Sequence, residues 1–222
     1  MTTARQIRQL FAPLLAENPD IVLRKNYIYL KPVSHVHRCI GIGRSGGRDA
    51  FIVRAAVNFT FNLSGALWEW PLGIRGYGWR WSDPDMPGLF KRLVDQELTQ
   101  LRALTTLEAF AKFASRDMTF MTSPLYGHKD CQLRVDIALG NLDKALVDCR
   151  ELDRLRGPPP HTEYFAQLWS RVVDPALPLL ERRDVSGLTN LLREWQATYI
   201  EVTGLGLSFK PTPFPLELAA GP

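Results

Sequence analysis

The stretch "SHVHRCIGIGRSGGRDAFIVRAAVNFTFN", residues 34 to 62, constrains the fold of this chain more than any other segment. Two runs rich in β-branched and aromatic residues flank a short glycine-bearing break that leaves no room for a crossover helix. The runs must therefore pair antiparallel. The preceding "DIVLRKNYIYLKP" has the same strand character, punctuated at Asn26 and Pro32, so a twisted antiparallel sheet is expected from about residue 21 to residue 82.

On both sides of this region the apolar period becomes helical. Residues 3 to 17 carry Ile7, Leu10, Phe11, Leu14 and Leu15 at helix spacing behind Thr2 or Thr3 as N-cap. From Asp83, "SDPDMPGLFKRLVDQELTQLRAL" places Leu89, Phe90, Leu93, Val94, Leu98 and Leu101 on one side of a helix, and "TTLEAFAKFASR" continues as another. Two helical hairpins follow, "CQLRVDIALGNLDKALVDCRELDRL" and "EYFAQLWSRVVDPALPLLERRDVSGLTNLLREWQATYIEVTG", joined by the rigid "GPPPH" at 157 to 161. Setting Asn141 against Asp184 aligns them at a spacing of 43 residues, which suits a helix-pair repeat. Two units fall short of the roughly three that a free-standing array needs, so a helical layer packed on the sheet is expected.

The predicted architecture is α+β. Residues 1–83 form the opening helix and sheet, 84–204 a helical layer sharing their core, and 205–222 a proline-containing tail extended over the surface. No apolar run reaches the roughly 18 residues that span a bilayer, and Pro13 and charges interrupt the N-terminal segment where a signal peptide needs an unbroken apolar stretch. Cys39, Cys131 and Cys149 lie far apart with no CxxC pair, as reduced thiols of a cytoplasmic protein would. Charge is uneven: residues 1–83 hold 11 Lys and Arg against 5 Asp and Glu, and the remainder 16 against 18. An acidic partner would meet the N-terminal part.

A two-residue turn at Gly46-Gly47 sets Ile42 opposite Phe51, Ile40 opposite Val53 and Val36 opposite Val57 on one apolar face. The other face then gathers His35 opposite Asn58, His37 opposite Ala56 and Cys39 opposite Arg54, while Arg38 points into the apolar side. Two imidazoles and a thiol at a period of two make His35, His37 and Cys39 candidate metal ligands, with a further ligand needed from His128, Asp130, Cys131 or His161. The competing reading is an ordinary polar sheet face, solvated or covered by helices. Gly41-Ile-Gly43-Arg-Ser-Gly46 spells GxGxxG, but a strand follows where that motif needs a helix, so no dinucleotide site and no cofactor is implied. Asp83 and Asp85 sit where a helix takes acidic caps, and Asp130, Asp136, Asp143 and Asp148 lie among basic partners in helical hairpins; these carboxylates read as structural.

"ALWEWPLGIRGYGWRW", residues 66 to 81, concentrates Trp68, Trp70, Trp79 and Trp81. Each pair shares a strand face, and the glycine-rich middle predicts a hairpin stacking the pairs across strands, so that the cluster serves first to close the fold. Its exposed part, with Arg75 and Tyr77 at the tip, is the candidate recognition surface, together with His35, His37, Arg54 and Asn58 on the sheet.

The order of opening helix, "IVLRKNYIYLKPVSHVHRCIGIGRS", long partner strand and then helices resembles uncharacterised bacterial α+β domain families in which helices pack an antiparallel sheet; the likeness covers the first third to half of the chain. Some such families include binding and immunity-type proteins. The expectation is a non-catalytic binding module for another protein or a small ligand, not a membrane. Nucleic-acid binding through the basic N-terminal part, and a metal-dependent enzyme centred on His35 and His37, are the alternatives.

Overall fold

The computed structural model describes residues 2–63, 68–73, 78–115, 129–156 and 163–219. Helix α1 (Ala4–Glu17) starts at Thr3, whose side chain accepts the Gln6 amide while the Gln6 side chain accepts the Thr3 amide, a reciprocal cap. Six antiparallel strands follow: β1 (Ile21–Arg24), β2 (Tyr27–Leu30), β3 (Val36–Arg44), β4 (Ala50–Phe59), β5 (Trp68–Pro71) and β6 (Trp79–Arg80). The first five lie side by side in chain order, and β6 pairs with β4.

The β3–β4 register differs from the expected one by two residues. Val36 faces Phe59, His37 faces Asn58, Cys39 faces Ala56, Ile40 faces Ala55 and Ile42 faces Val53, while Gly41 takes the place opposite Arg54. The Thr60 amide bonds the His35 carbonyl, so His35 meets Thr60 rather than Asn58. The cause is the turn. The Ala50 amide closes on the Gly47 carbonyl over Arg48 and Asp49, and neither Gly46 nor Gly47 takes the positive φ of a tight two-residue turn. Because the slip is even, every side chain stays on its expected face.

The apolar face holds Val36, Ile40, Ile42, Val53, Val57 and Phe59, all buried, against α1, α2 (Met86–Arg102) and α3 (Leu107–Ala114). Aromatic contacts fasten these layers: Phe11 meets Phe90 edge-on at 5.5 Å and Phe59 meets Phe110 at 5.9 Å. Arg38 does enter this face, 5% exposed, with its guanidinium donating to the Pro32 carbonyl at 3.1 Å and the Leu101 carbonyl at 3.5 Å.

The remaining helices are α4 (Lys129–Leu139), α5 (Leu142–Arg154), α6 (Glu163–Leu168), α7 (Asp174–Glu181), α8 (Val185–Thr203) and α9 (Pro215–Ala219). A π-helical turn, Trp169–Val173, joins α6 to α7 just ahead of Pro175, whose ring nitrogen has no hydrogen to donate. Helix α4 is buried on nearly all sides, so its sequence has little amphipathic contrast. Its Arg134, 1% exposed, bonds Asp130 at 2.6 Å and lies over the Phe59 ring at 5.3 Å, tying the helical layer to the sheet.

The two hairpins repeat turn for turn. Gly140 and Arg183 both take positive φ, of 82° and 51°, and the amides of Asn141 and Asp184 reach back to Asp136 and Leu179. Each turn then opens a helix, α5 after Asn141 and α8 after Asp184. The tail departs from the expected surface strand: it bridges Val33 at Phe209, buries Phe214 and Leu216, and ends in α9 against α4 and α8. Its apolar residues outweigh its prolines. Among the described residues no helix is long and apolar enough to cross a membrane.

Candidate functional site

Helix α8 and the tail seal one end of the polar sheet face. Tyr199 of α8 sets its hydroxyl 2.7 Å from Nδ1 of His37 and 3.2 Å from Nδ2 of Asn58, which donates to it. With that donor in place, the phenol proton goes to His37 Nδ1, and the ring proton sits on Nε2, which has no partner. Asn58 in turn accepts from Asn62 and from the Phe59 amide. One step along the sheet, Gln196 donates to Thr60, which donates to the Ser34 carbonyl, and His35 donates from Nε2 to the Pro213 carbonyl at 2.9 Å while its ring stacks on Phe214 at 4.3 Å.

These contacts make the polar face an interior. His35 and His37 are 7% and 3% exposed, and burial holds both imidazoles neutral, His37 with its pKa down at about 3. Burial likewise pushes the Cys39, Cys131 and Cys149 thiols up, so none is a thiolate near neutrality. The spacing that brings His35, His37 and Cys39 to one side is real, but their polar atoms are engaged or enclosed. Among the described residues no group of three or more His, Cys, Asp and Glu is placed to hold a metal ion. His128 and His161 lie outside the described residues.

Farther along this face the cover is thinner. Tyr27 lies across Gly41, Tyr29 stacks on His37 at 5.0 Å, and Arg54, half-exposed, pairs with Glu69 at 2.7 Å. Arg54 is thus reachable but already partnered.

The tryptophans are arranged differently from the expected hairpin. Strands β5 and β6 do not pair with each other; both lie on the edge of β4, β5 along Arg54–Val57 and β6 along Ala50–Phe51. They lie one after the other along the same edge of β4, and the Trp79 indole donates to the Leu72 carbonyl at 2.8 Å. Gly73 makes this contact feasible: its φ is 105°, and a Cβ there would lie 2.7 Å from the Trp79 ring. All four indoles face the core side, where Phe side chains receive them. Trp68 stacks on Phe59 at 5.9 Å, Trp70 leans on Phe113 at 5.6 Å and donates to Glu97, and Trp81 stacks on Phe51 at 4.2 Å. Trp68 and Trp70 are buried, whereas Trp79 and Trp81 keep partial exposure. Arg75 and Tyr77 lie outside the described residues.

Beside Trp79 opens a groove of about 520 Å³, floored by Met86 and walled by Leu89 and Leu93 of α2, with Arg80 and Asp83 at its rim. The sequence reading missed this side of α2. Its apolar stripe is two rows wide: Phe90, Val94, Leu98 and Leu101 go fully into the core, and Leu89 and Leu93 stay half-buried. That surplus width was the available signal. Tyr199 and Gln196 were also missed, because α8 offers them as ordinary polar residues of an amphipathic helix. No family model matches the chain, and neither does any curated protein or solved structure.

Proposed function

We propose that the protein is a non-catalytic, cytoplasmic binding module that takes a compact apolar or ring-bearing small ligand in the groove between Trp79 and α2. The carrying observation is the groove itself. Trp68, Trp70, Trp79 and Trp81 all pack on core phenylalanines, and Trp79 together with Met86, Leu89 and Leu93 also lines about 520 Å³ of largely apolar space open to solvent. That volume is in the range of small-molecule sites, roughly 300 to 1,000 Å³. Arg80 and Asp83 at the rim supply one charge of each sign to orient a polar end of the ligand.

The rest of the polar chemistry supports a binding role over a catalytic one. Both buried imidazoles are neutral and tied into the fold, and the thiols are protonated.

Ligand-observed NMR with a library of ring-bearing fragments tests the reading. Binding should be lost on Leu89→Glu, which places a charge in the wall of the groove at a half-buried position, while the circular dichroism of that variant stays that of the parent. Fragments that bind the parent and Leu89→Glu equally, or no binding at all, would sink it.

A further inference from the structure

A second depression, independent of the tryptophan groove, lies where the start of α1 meets the β1–β2 turn and the end of β3. It encloses about 570 Å³, and three cations, Arg8, Lys25 and Arg44, line it with no acidic residue among its walls. Every ion pair of the described residues falls elsewhere, and none of the three makes a side-chain hydrogen bond. Three like charges gathered on one concave surface repel one another unless an anion joins them.

The backbone around the cleft reinforces the sign. Helix α1 carries no acidic residue in its first turn and instead begins with Arg5 and Arg8, where the helix end already presents partial positive charge. Lys25 sits in the β1–β2 turn with φ of 55°, a conformation that glycine adopts freely and an L side chain does not. The turn places the Lys25 side chain in the lining of the cleft with those of Arg8 and Arg44. Its neighbour Asn26 fixes the turn onto β3 through its side chain, which donates to the Ile42 carbonyl at 2.7 Å. The backbone that carries Lys25 is thereby tied to β3.

We propose that this cleft binds a phosphorylated small molecule: a phosphate group of two or more negative charges bridged by Arg8, Lys25 and Arg44, with its organic part over the apolar floor of Ile7, Leu23 and Ile42. Arginine forks match the paired oxygens of a phosphate, and the lysine adds a compact point charge. The enclosed volume accommodates one such molecule and is short for a polymer backbone.

Calorimetric titration of the full chain with inorganic pyrophosphate and with a nucleoside diphosphate tests it. Both should bind, the nucleoside diphosphate more tightly through the apolar floor, and Arg44→Gln or Arg8→Gln should each weaken binding about tenfold. Lys25→Gly separates ligand recognition from folding: it should weaken binding by a similar factor while leaving the melting temperature unchanged or raised. Leu89→Glu, in the other groove, should leave phosphate binding as it was. No heat with either phosphate, or affinities indifferent to all three cation variants, overturns the proposal. So does tight binding of a single-stranded oligonucleotide, steeply salt-dependent, with no binding of the small phosphates; that result would assign the cleft to nucleic acid.

Discussion

The Tyr199 hydroxyl lies 2.7 Å from Nδ1 of His37, bridging a helix near the C-terminal end of the chain to the second strand pair of the sheet across 162 residues of sequence. It also receives Asn58, so one phenol oxygen satisfies two buried side chains of adjacent strands. This bond belongs to the cover that α8 and the tail place over the His35–His37 end of the polar sheet face.

Tyr199→Phe removes that oxygen at almost constant volume. His37 Nδ1 and one Asn58 amide hydrogen are then buried without partners, which costs about 1 to 3 kcal/mol. Urea unfolding should give a midpoint lowered accordingly, with unchanged slope and unchanged binding in the Trp79 groove. A Tyr199→Phe protein as stable as the parent would mean that the network contributes nothing to holding α8 on the sheet.

His37 also makes stability depend on pH. Its folded pKa is about 3 against an ordinary 6.5, because burial disfavours the imidazolium. Below about pH 6.5 the unfolded chain takes up a proton that the folded chain refuses, so the stability is complete above that pH and falls as pH drops toward 3, by at most about 1.4 kcal/mol per unit. His35, lowered in the same direction, adds to the trend. Denaturant midpoints between about pH 7.5 and pH 4.5 should fall more steeply for the parent than for His37→Asn. Equal slopes would contradict a neutral, buried His37.

The sheet, its two faces and the helical second half were legible because periods of two and 3.6 survive any local error in a turn. An even slip of the β3–β4 register moved each partner but left His35, His37 and Cys39 on the side where they were expected. What stayed illegible is tertiary. Nothing local to Tyr199 or Gln196 says that α8 lies over those histidines, and nothing between Trp70 and Trp79 says that both flanking strands choose β4 over each other. Edge pairing depends on which strand is left open, and only the assembled sheet decides that.

Gly41 has a packing reason that its sequence context hides. A Cβ there would stand 2.2 Å from Cε1 of Tyr27, the residue directly opposite on β2. Gly41→Ala must push that ring off the sheet, at about 1 to 3 kcal/mol. In a Tyr27→Ser background the same substitution should cost far less, since the obstructing ring is gone. A double-mutant cycle on thermal unfolding measures this, and additive effects would show that the ring swings away freely.

The repeated hairpin turns call for opposite responses at equivalent positions. Gly140→Ala gives a side chain to a residue with φ of 82°, where the nearest atoms, on Leu216, are no closer than 3.8 Å; the penalty of about 1 kcal/mol is therefore the backbone's own. Arg183→Gly relieves the corresponding strain at φ of 51°, and the ion pair it gives up, to Asp143, is well exposed on both partners and so contributes little. The first variant should melt below the parent and the second at or above it. If Arg183→Gly is instead as damaging as Gly140→Ala, the second turn is held by its arginine side chain and the two hairpins are alike in shape only.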